Sequence, residues 1–217
     1  MDRNNRVETG THAGNLDLVG GRVCLDLVNT LDGRRNGHPH DYLNSYADLV
    51  SWSLHVGLVT EDVAQQLLDQ AGRQPAEASR VFERVIVLRE TIYRIFSAVA
   101  GGESPAAANL IGLNEELAEV LPQLQLVPVP DGFAWGWRGD RQALAWLLWP
   151  LARSAAELLT SAELKRVREC EGNNCGWLFV DTSRNRSRRW CDMKSCGNRA
   201  KARRHYKRKR TAGPAKQ

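Results

Sequence analysis

CEGNNCGWLFVDTSRNRSRRWCDMKSCGNRAKARRHYKRKR, residues 170–210, decides how this 217-residue chain is read. It holds four of the five cysteines in two pairs, Cys170-x4-Cys175 and Cys191-x4-Cys196, with fifteen residues between them. A tetrahedral metal is served by such an arrangement, because each tight turn supplies two thiolates, and Gly172-Asn173-Asn174 is turn-forming chemistry inside the first pair. Disulfides do not persist in a reducing compartment, and unligated buried cysteines rarely come in pairs. The spacing therefore predicts one zinc per chain, held by Cys170, Cys175, Cys191 and Cys196. A closed shell of four thiolates leaves the metal no open position, which argues against catalysis there.

Around these cysteines, Trp177, Leu178, Phe179 and Val180 read as a strand, 183–185 as a turn, and Arg188-Arg189-Trp190 as the returning strand. After Cys196 the chain reads as a helix. Arg199, Arg203, Lys207 and Arg210 share one face and Lys201, Arg204 and Arg208 the next, while Ala202 and Tyr206 are expected to pack back on the metal turn. Knuckle, hairpin, second cysteine pair and helix follow a treble-clef-like order.

Charge separates along the same boundary. From Lys165 to Gln217 there are 17 Lys and Arg against 4 Asp and Glu, a balance of +13 in a chain whose total is +5, so the remainder carries −8. An acidic body with a basic end is suited to polyanions. No apolar run reaches the roughly 18 to 20 residues that a membrane span needs. Residues 1–14 lack the apolar stretch of a secretory signal, so the expected location is the cytoplasm, with nucleoid association when bound.

Before the cysteines the pattern is mostly helical. Residues 22–31, rich in Val and Leu, suit a buried strand or a first helical turn and are read as the strand. Asp41 is placed to cap a helix carrying Leu43, Tyr46, Ala47, Val50 and Leu54, which Gly57 ends. Thr60 caps a second helix with Val63, Leu67, Leu68 and Ala71 inward and Gly72 as its stop. Pro75 opens a long third, with Val81, Val85, Leu88, Ile92, Ile95, Phe96 and Val99 on one side, closed by Gly101-Gly102. A fourth helix starts at Ser104-Pro105 and ends before Pro122. Asp131-Gly132 then joins two short strands, 124–129 and 133–138, the first made an edge by Pro128 and Pro130. Asp140 caps a final helix of about 141–159 that Pro150 kinks or divides. Cys24, alone in an apolar run, reads as a core residue. The fold class is α+β: a mainly helical amino-terminal domain, 15–163, with a small β-hairpin, followed by a four-cysteine zinc module, 164–210. The first is expected to stay folded when the chain is cut near Lys165.

The stretch from Cys170 through Cys196-Gly197-Asn198-Arg199 resembles the CGNR zinc finger, over most of residues 170–205. Gly-Gly-Arg-Val-Cys-Leu-Asp-Leu-Val-Asn-Thr-Leu, residues 20–31, is similar to the opening of the ABATE domain that commonly precedes that finger; Leu27 stands where an aromatic is expected. The resemblance covers nearly the whole chain. It implies a stress-induced transcription regulator whose front domain senses a ligand.

From the residues themselves, duplex DNA binding is the first reading. Arg199, Arg203, Arg204 and Lys207 are offered to a groove, and Arg184, Arg186, Arg188 and Arg189 to phosphates. RNA or single-stranded nucleic acid is the alternative if Trp177 or Trp190 is exposed for stacking, and a zinc-stabilised protein-interaction module is another. His38-Pro39-His40-Asp41 has residue types suited to a metal or acid-base site, but a polar loop in which Asp41 caps the following helix needs no second metal shell and explains the same residues, and the chain reads as a non-enzyme. Asp26, Asn29 and Thr30, polar within an apolar run, either line a pocket for a small effector or satisfy buried backbone groups; Trp135 and Trp137 carry the same two options. A homodimer is a further candidate partner state.

Overall fold

A computed structural model describes residues 10–35, 37–139 and 143–211. Its centre is the helix opened by Pro75, whose ring sits at the first helical position where no backbone donor is lost. Six helices are needed to place it: α1 (Val23–Val28), α2 (Tyr46–His55), α3 (Glu61–Arg73), α4 (Pro75–Ala100), α5 (Ala107–Val120) and α6 (Leu148–Thr160). The apolar stripe of α4, Val81 through Phe96, is buried and packs against each of the other five. Among the described residues no helix is long and apolar enough to cross a membrane.

The buried-strand expectation for 22–31 is corrected: Val23–Val28 is a helix. Cys24, Leu25, Leu27 and Val28 are buried while Asp26 is not fully so. That spacing of one, two and one is helical; a strand would place Asp26 on the same face as Cys24 and Val28. Asp26 accepts a hydrogen bond from the Gly20 backbone at 2.8 Å, and a Cβ at Gly20 would fall 2.8 Å from the Asp26 nitrogen, so the tight entry to α1 requires glycine.

Asp41 does not cap α2 either. Ser45 does, accepting from the Asp48 N–H, and the inward residues are Tyr46, Leu49, Val50, Trp52 and Ser53, with Ala47 and Leu54 exposed. Asp41 lies in a two-residue strand, β2 (His40–Asp41), paired antiparallel with β1 (Leu31–Asp32). There it takes a bidentate hydrogen bond from Arg89 of α4, both at 2.7 Å. Arg89 is itself buried, so the pairing that helix capping would have forgone is what makes its charge tolerable.

Thr60 precedes α3 without making a side-chain cap, and the helix runs one residue past Gly72. The hairpin forms as expected, β3 (Leu124–Val129) with β4 (Gly132–Trp137). Pro150 neither kinks nor divides α6. It is the third residue of that helix, after a short 3-10 turn at Leu144–Leu147, where its missing N–H has no partner to lose. The proposed cap Asp140 and Arg141 lie outside the described residues.

Two further strands lead into the cysteines: β5 (Val167–Glu169) pairs antiparallel with β6 (Leu178–Val180). Val167, Leu178 and Val180 join the main apolar core beneath α1 and α4. The expectation that residues before Lys165 fold independently therefore meets a core that crosses that boundary.

Candidate metal centre and basic surface

The four sulfurs of Cys170, Cys175, Cys191 and Cys196 lie within 4.8 Å of one another, and all four residues are buried. Cys175 and Cys191 are 3.7 Å apart at sulfur, close to the roughly 3.8 Å edge of a tetrahedron with metal–sulfur bonds of about 2.3 Å and far from a disulfide of about 2.05 Å. Hydrogen bonds pull the Cys170 thiol down to about 7 and push that of Cys175 up, so the sulfurs compete for protons that a divalent cation would replace. A Cβ at Gly172 would sit 3.0 Å from the Cys196 sulfur, which reserves that turn for the metal's shell. The residues fit one zinc, bound at a closed structural site.

Its surroundings are donors. Gly172 and Cys191 each give a backbone N–H to the Cys170 sulfur, and the Arg199 guanidinium donates to the Cys196 sulfur at 3.0 Å. The contact with that thiolate raises the Arg199 pKa further. Four thiolates leave a zinc centre with two surplus negative charges, and these groups answer them. Asp192 caps the turn Met193–Gly197, and α7 (Asn198–Thr211) starts directly from the fourth ligand.

The return strand expected at 188–190 is not formed. β6 pairs backward with β5, while the Asp181 carboxylate accepts from the N–H groups of Ser183 and Arg188 and so closes the loop by side-chain bonding. Arg188 turns inward: it stacks 4.2 Å above the Phe179 ring and donates to the carbonyls of Trp190, Cys191 and Val19. Arg189 holds Glu171 and stacks on Trp190. Trp177 and Trp190 are half-buried against the cysteine cluster. Arg184 and Arg186 are exposed on the loop. On α7 the residues 201–209 are all exposed, so Ala202 and Tyr206 do not pack back on the knuckle; the side chain of Arg210 lies outside the described residues.

The knuckle is seated on the helical body by residues that periodicity did not single out. Arg35 pairs with Glu169 at 2.6 Å and donates to the Cys170 carbonyl at 3.3 Å; Glu169 also accepts from Ser97. Arg34 pairs with Glu90 and lies 4.1 Å over Tyr93, with its Cβ under Gly176, which adopts φ +94°. These arginines sit in a turn with no regular pattern, so nothing in the local sequence beyond their charge signalled the role.

Asp26, Asn29 and Thr30 direct their polar atoms into the protein. Asn29 donates to the Leu178 carbonyl and accepts from its N–H, each at 2.9 Å. Thr30 donates to Leu27 and accepts from Arg89. None of the three lines the cavity of about 380 Å³ between Arg22, Trp137, Pro150 and Arg153.

A helical body sharing its core with a tetrathiolate knuckle, from which a basic helix departs, defines a zinc-finger protein. The sequence profile of the CGNR zinc finger matches residues 166–209. That of ABATE, described as "Putative stress-induced transcription regulator", matches residues 21–162, well over half of the chain. The chain belongs to the ABATE family. No curated protein matches it.

Proposed function

We propose that the chain is a transcription regulator that grips duplex DNA with α7 and the loop carrying Arg184 and Arg186. One observation carries this reading: Lys201, Arg203, Arg204, Lys207, Arg208 and Lys209 are all exposed on one helix fixed to the zinc site, and no acidic residue occurs from Met193 to Gln217. Fourteen residues of helix extend about 21 Å, a length that a major groove accommodates. Arg188 and Arg199 are occupied by carbonyls and a thiolate, so the phosphate-binding set narrows to the exposed side chains. Stacking of unpaired bases is disfavoured because Trp177 and Trp190 are engaged with the cysteine core.

The test is fluorescence anisotropy on duplexes at several salt concentrations. With roughly six phosphate contacts, log affinity falls against log salt with a slope near −5, from about 0.9 per contact. Arg186→Ala weakens selected and scrambled duplexes alike and flattens the slope by about one unit. Arg203→Ala loses more on a selected site than on a scrambled one. Equal losses for every substitution would leave α7 without base reading, and no binding at low salt would reject the proposal.

A further inference from the structure

The β3–β4 hairpin is a two-stranded sheet, and among the described residues no third strand joins it. Two strands alone are marginal in water. Its register sets Leu124, Leu126 and Pro128 opposite Trp137, Trp135 and Phe133, which puts all six apolar side chains on one face. At the base Trp137 packs on Trp149 of α6, with ring centres 5.6 Å apart. Further out the face is largely exposed, Leu126 at 62%, Phe133 at 78% and Trp135 at 56%, with the Arg153 guanidinium of α6 5.5 Å from the Trp135 ring centre. A contiguous apolar patch of this kind is unusual on a monomer and marks an interaction surface.

The two edges of the hairpin differ. β3 carries Pro128, with Pro130 in the connection, and proline blocks strand addition. β4, Gly132-Phe-Ala-Trp-Gly-Trp137, has no proline and no charge, so the usual guards against edge pairing are missing. Val129 and Gly132 close the two-residue connection as a hydrogen-bonded pair, so Phe133 and Trp135 turn their N–H and C=O groups away from β3.

We infer that the occupant of this edge is a second copy of the chain, whose β4 pairs antiparallel with this one about a two-fold axis at Ala134. In that register Phe133 lies opposite the partner's Trp135, and the reverse, so both aromatic pairs fall on the apolar face and the two copies make one four-stranded sheet. Residues 132–137 carry no charge that would oppose the pairing. Asp131 at the tip is the one ionisable residue between Leu124 and Trp137, so two like molecules meet there without repulsion. Edge pairing sets the flanks of Phe133 and Trp135 against the partner's Trp135 and the partner's Phe133 and leaves Leu126 on the same apolar face, while Val129 lies on the opposite one. The pairing is independent of whether DNA is bound.

Across the two-fold axis Ala134 faces itself as a non-hydrogen-bonded pair, with Cα atoms about 4.5 Å apart, a spacing that a disulfide spans. Under mild oxidation Ala134→Cys therefore yields a covalent dimer, and Asp131→Cys at the tip does not. Sedimentation of the zinc-loaded wild type at tens of micromolar gives twice the chain mass. The double variant Phe133→Lys, Trp135→Lys sediments at the chain mass, with helical circular dichroism and zinc content unchanged. A wild type that remains monomeric, a double variant that remains dimeric, or an Ala134→Cys dimer that fails to cross-link would each overturn the proposal.

Discussion

Asn29→Ala tests whether the zinc module is held by the helical body. The Asn29 amide reaches across 149 residues of chain to satisfy both backbone groups of Leu178, each at 2.9 Å, and all the atoms concerned are buried. Alanine leaves that N–H and C=O without partners where water does not reach them. Each orphaned group costs about 1–3 kcal/mol, so the loss in unfolding free energy is roughly 2–6 kcal/mol. β6 lies between Cys175 and Asp181 and pairs with the strand entering Cys170, so the loss reaches the metal as well. Urea unfolding at pH 7 supplies the free energy, and zinc release to a chromogenic chelator supplies the second reading. An Asn29→Ala protein that unfolds within 1 kcal/mol of wild type and keeps its zinc equally long would refute a body and module joined through this residue.

Arg199→Ala weakens zinc retention by about 10- to 100-fold, the usual effect of removing a group that supports a metal ligand, as read by chelator competition; normal retention with weakened DNA binding would instead place Arg199 on the nucleic acid. Arg89→Met strands Asp41, while Arg34 still holds Glu90, and costs about 3–5 kcal/mol in urea unfolding, whereas a loss below 1 kcal/mol would show that the Arg89–Asp41 pair is dispensable. Burial acts to raise the Glu90 carboxyl, but Arg34 and Arg89 outweigh it and hold the pKa below its usual value. The stability it contributes is thus complete above the unfolded value of about 4.3 and fades as pH falls through the folded one, and Glu90→Gln removes that part of the acid limb of a melting profile. Burial pushes Asp26 up to about 6, so its contribution is largest below about pH 4 and is lost as pH rises through 6. The melting temperature of Asp26→Asn should gain on that of wild type between pH 4 and 7, and parallel profiles would contradict the assignment.

What the sequence made legible was whatever repeats locally. The α4 stripe from Val81 to Phe96 recurs at three and four residues, and the paired cysteines carry their own geometry in their spacing. The Val23–Val28 helix was legible in principle, because its buried positions fall at 24, 25, 27 and 28, but a run so short and so apolar also suits a strand. Asp41 shows the other kind of limit. A polar residue before an apolar run has the form of a cap, and only the distant Arg89 of α4 determines that its carboxylate is used elsewhere. Arg188 and Arg199 were indistinguishable from their basic neighbours for the same reason. A sequence displays charge, whereas the Phe179 ring and the Cys196 sulfur that engage these two guanidinium groups are brought to them by the fold.

The exposed helix α7 is held by little of its own. Its side chains from 201 to 209 are all exposed, and like charges stand four apart at Arg199 and Arg203, Arg203 and Lys207, and Arg204 and Arg208. Three such pairs cost roughly 1 kcal/mol together, and cations in the first turn oppose the helix dipole. Zinc offsets part of this by fixing the turn from which α7 departs, with Asp192 capping it and Asn198 bonded back to the Lys194 carbonyl. A polyanion along the helix removes the rest, because it neutralises the charges whose mutual repulsion works against helical order. On the proposed function, metal and nucleic acid would therefore act on the same element from its two sides, the first by starting the helix and the second by relieving it. Loss of zinc should accordingly lower affinity for duplex DNA even though no phosphate contact in the proposed set belongs to a metal ligand.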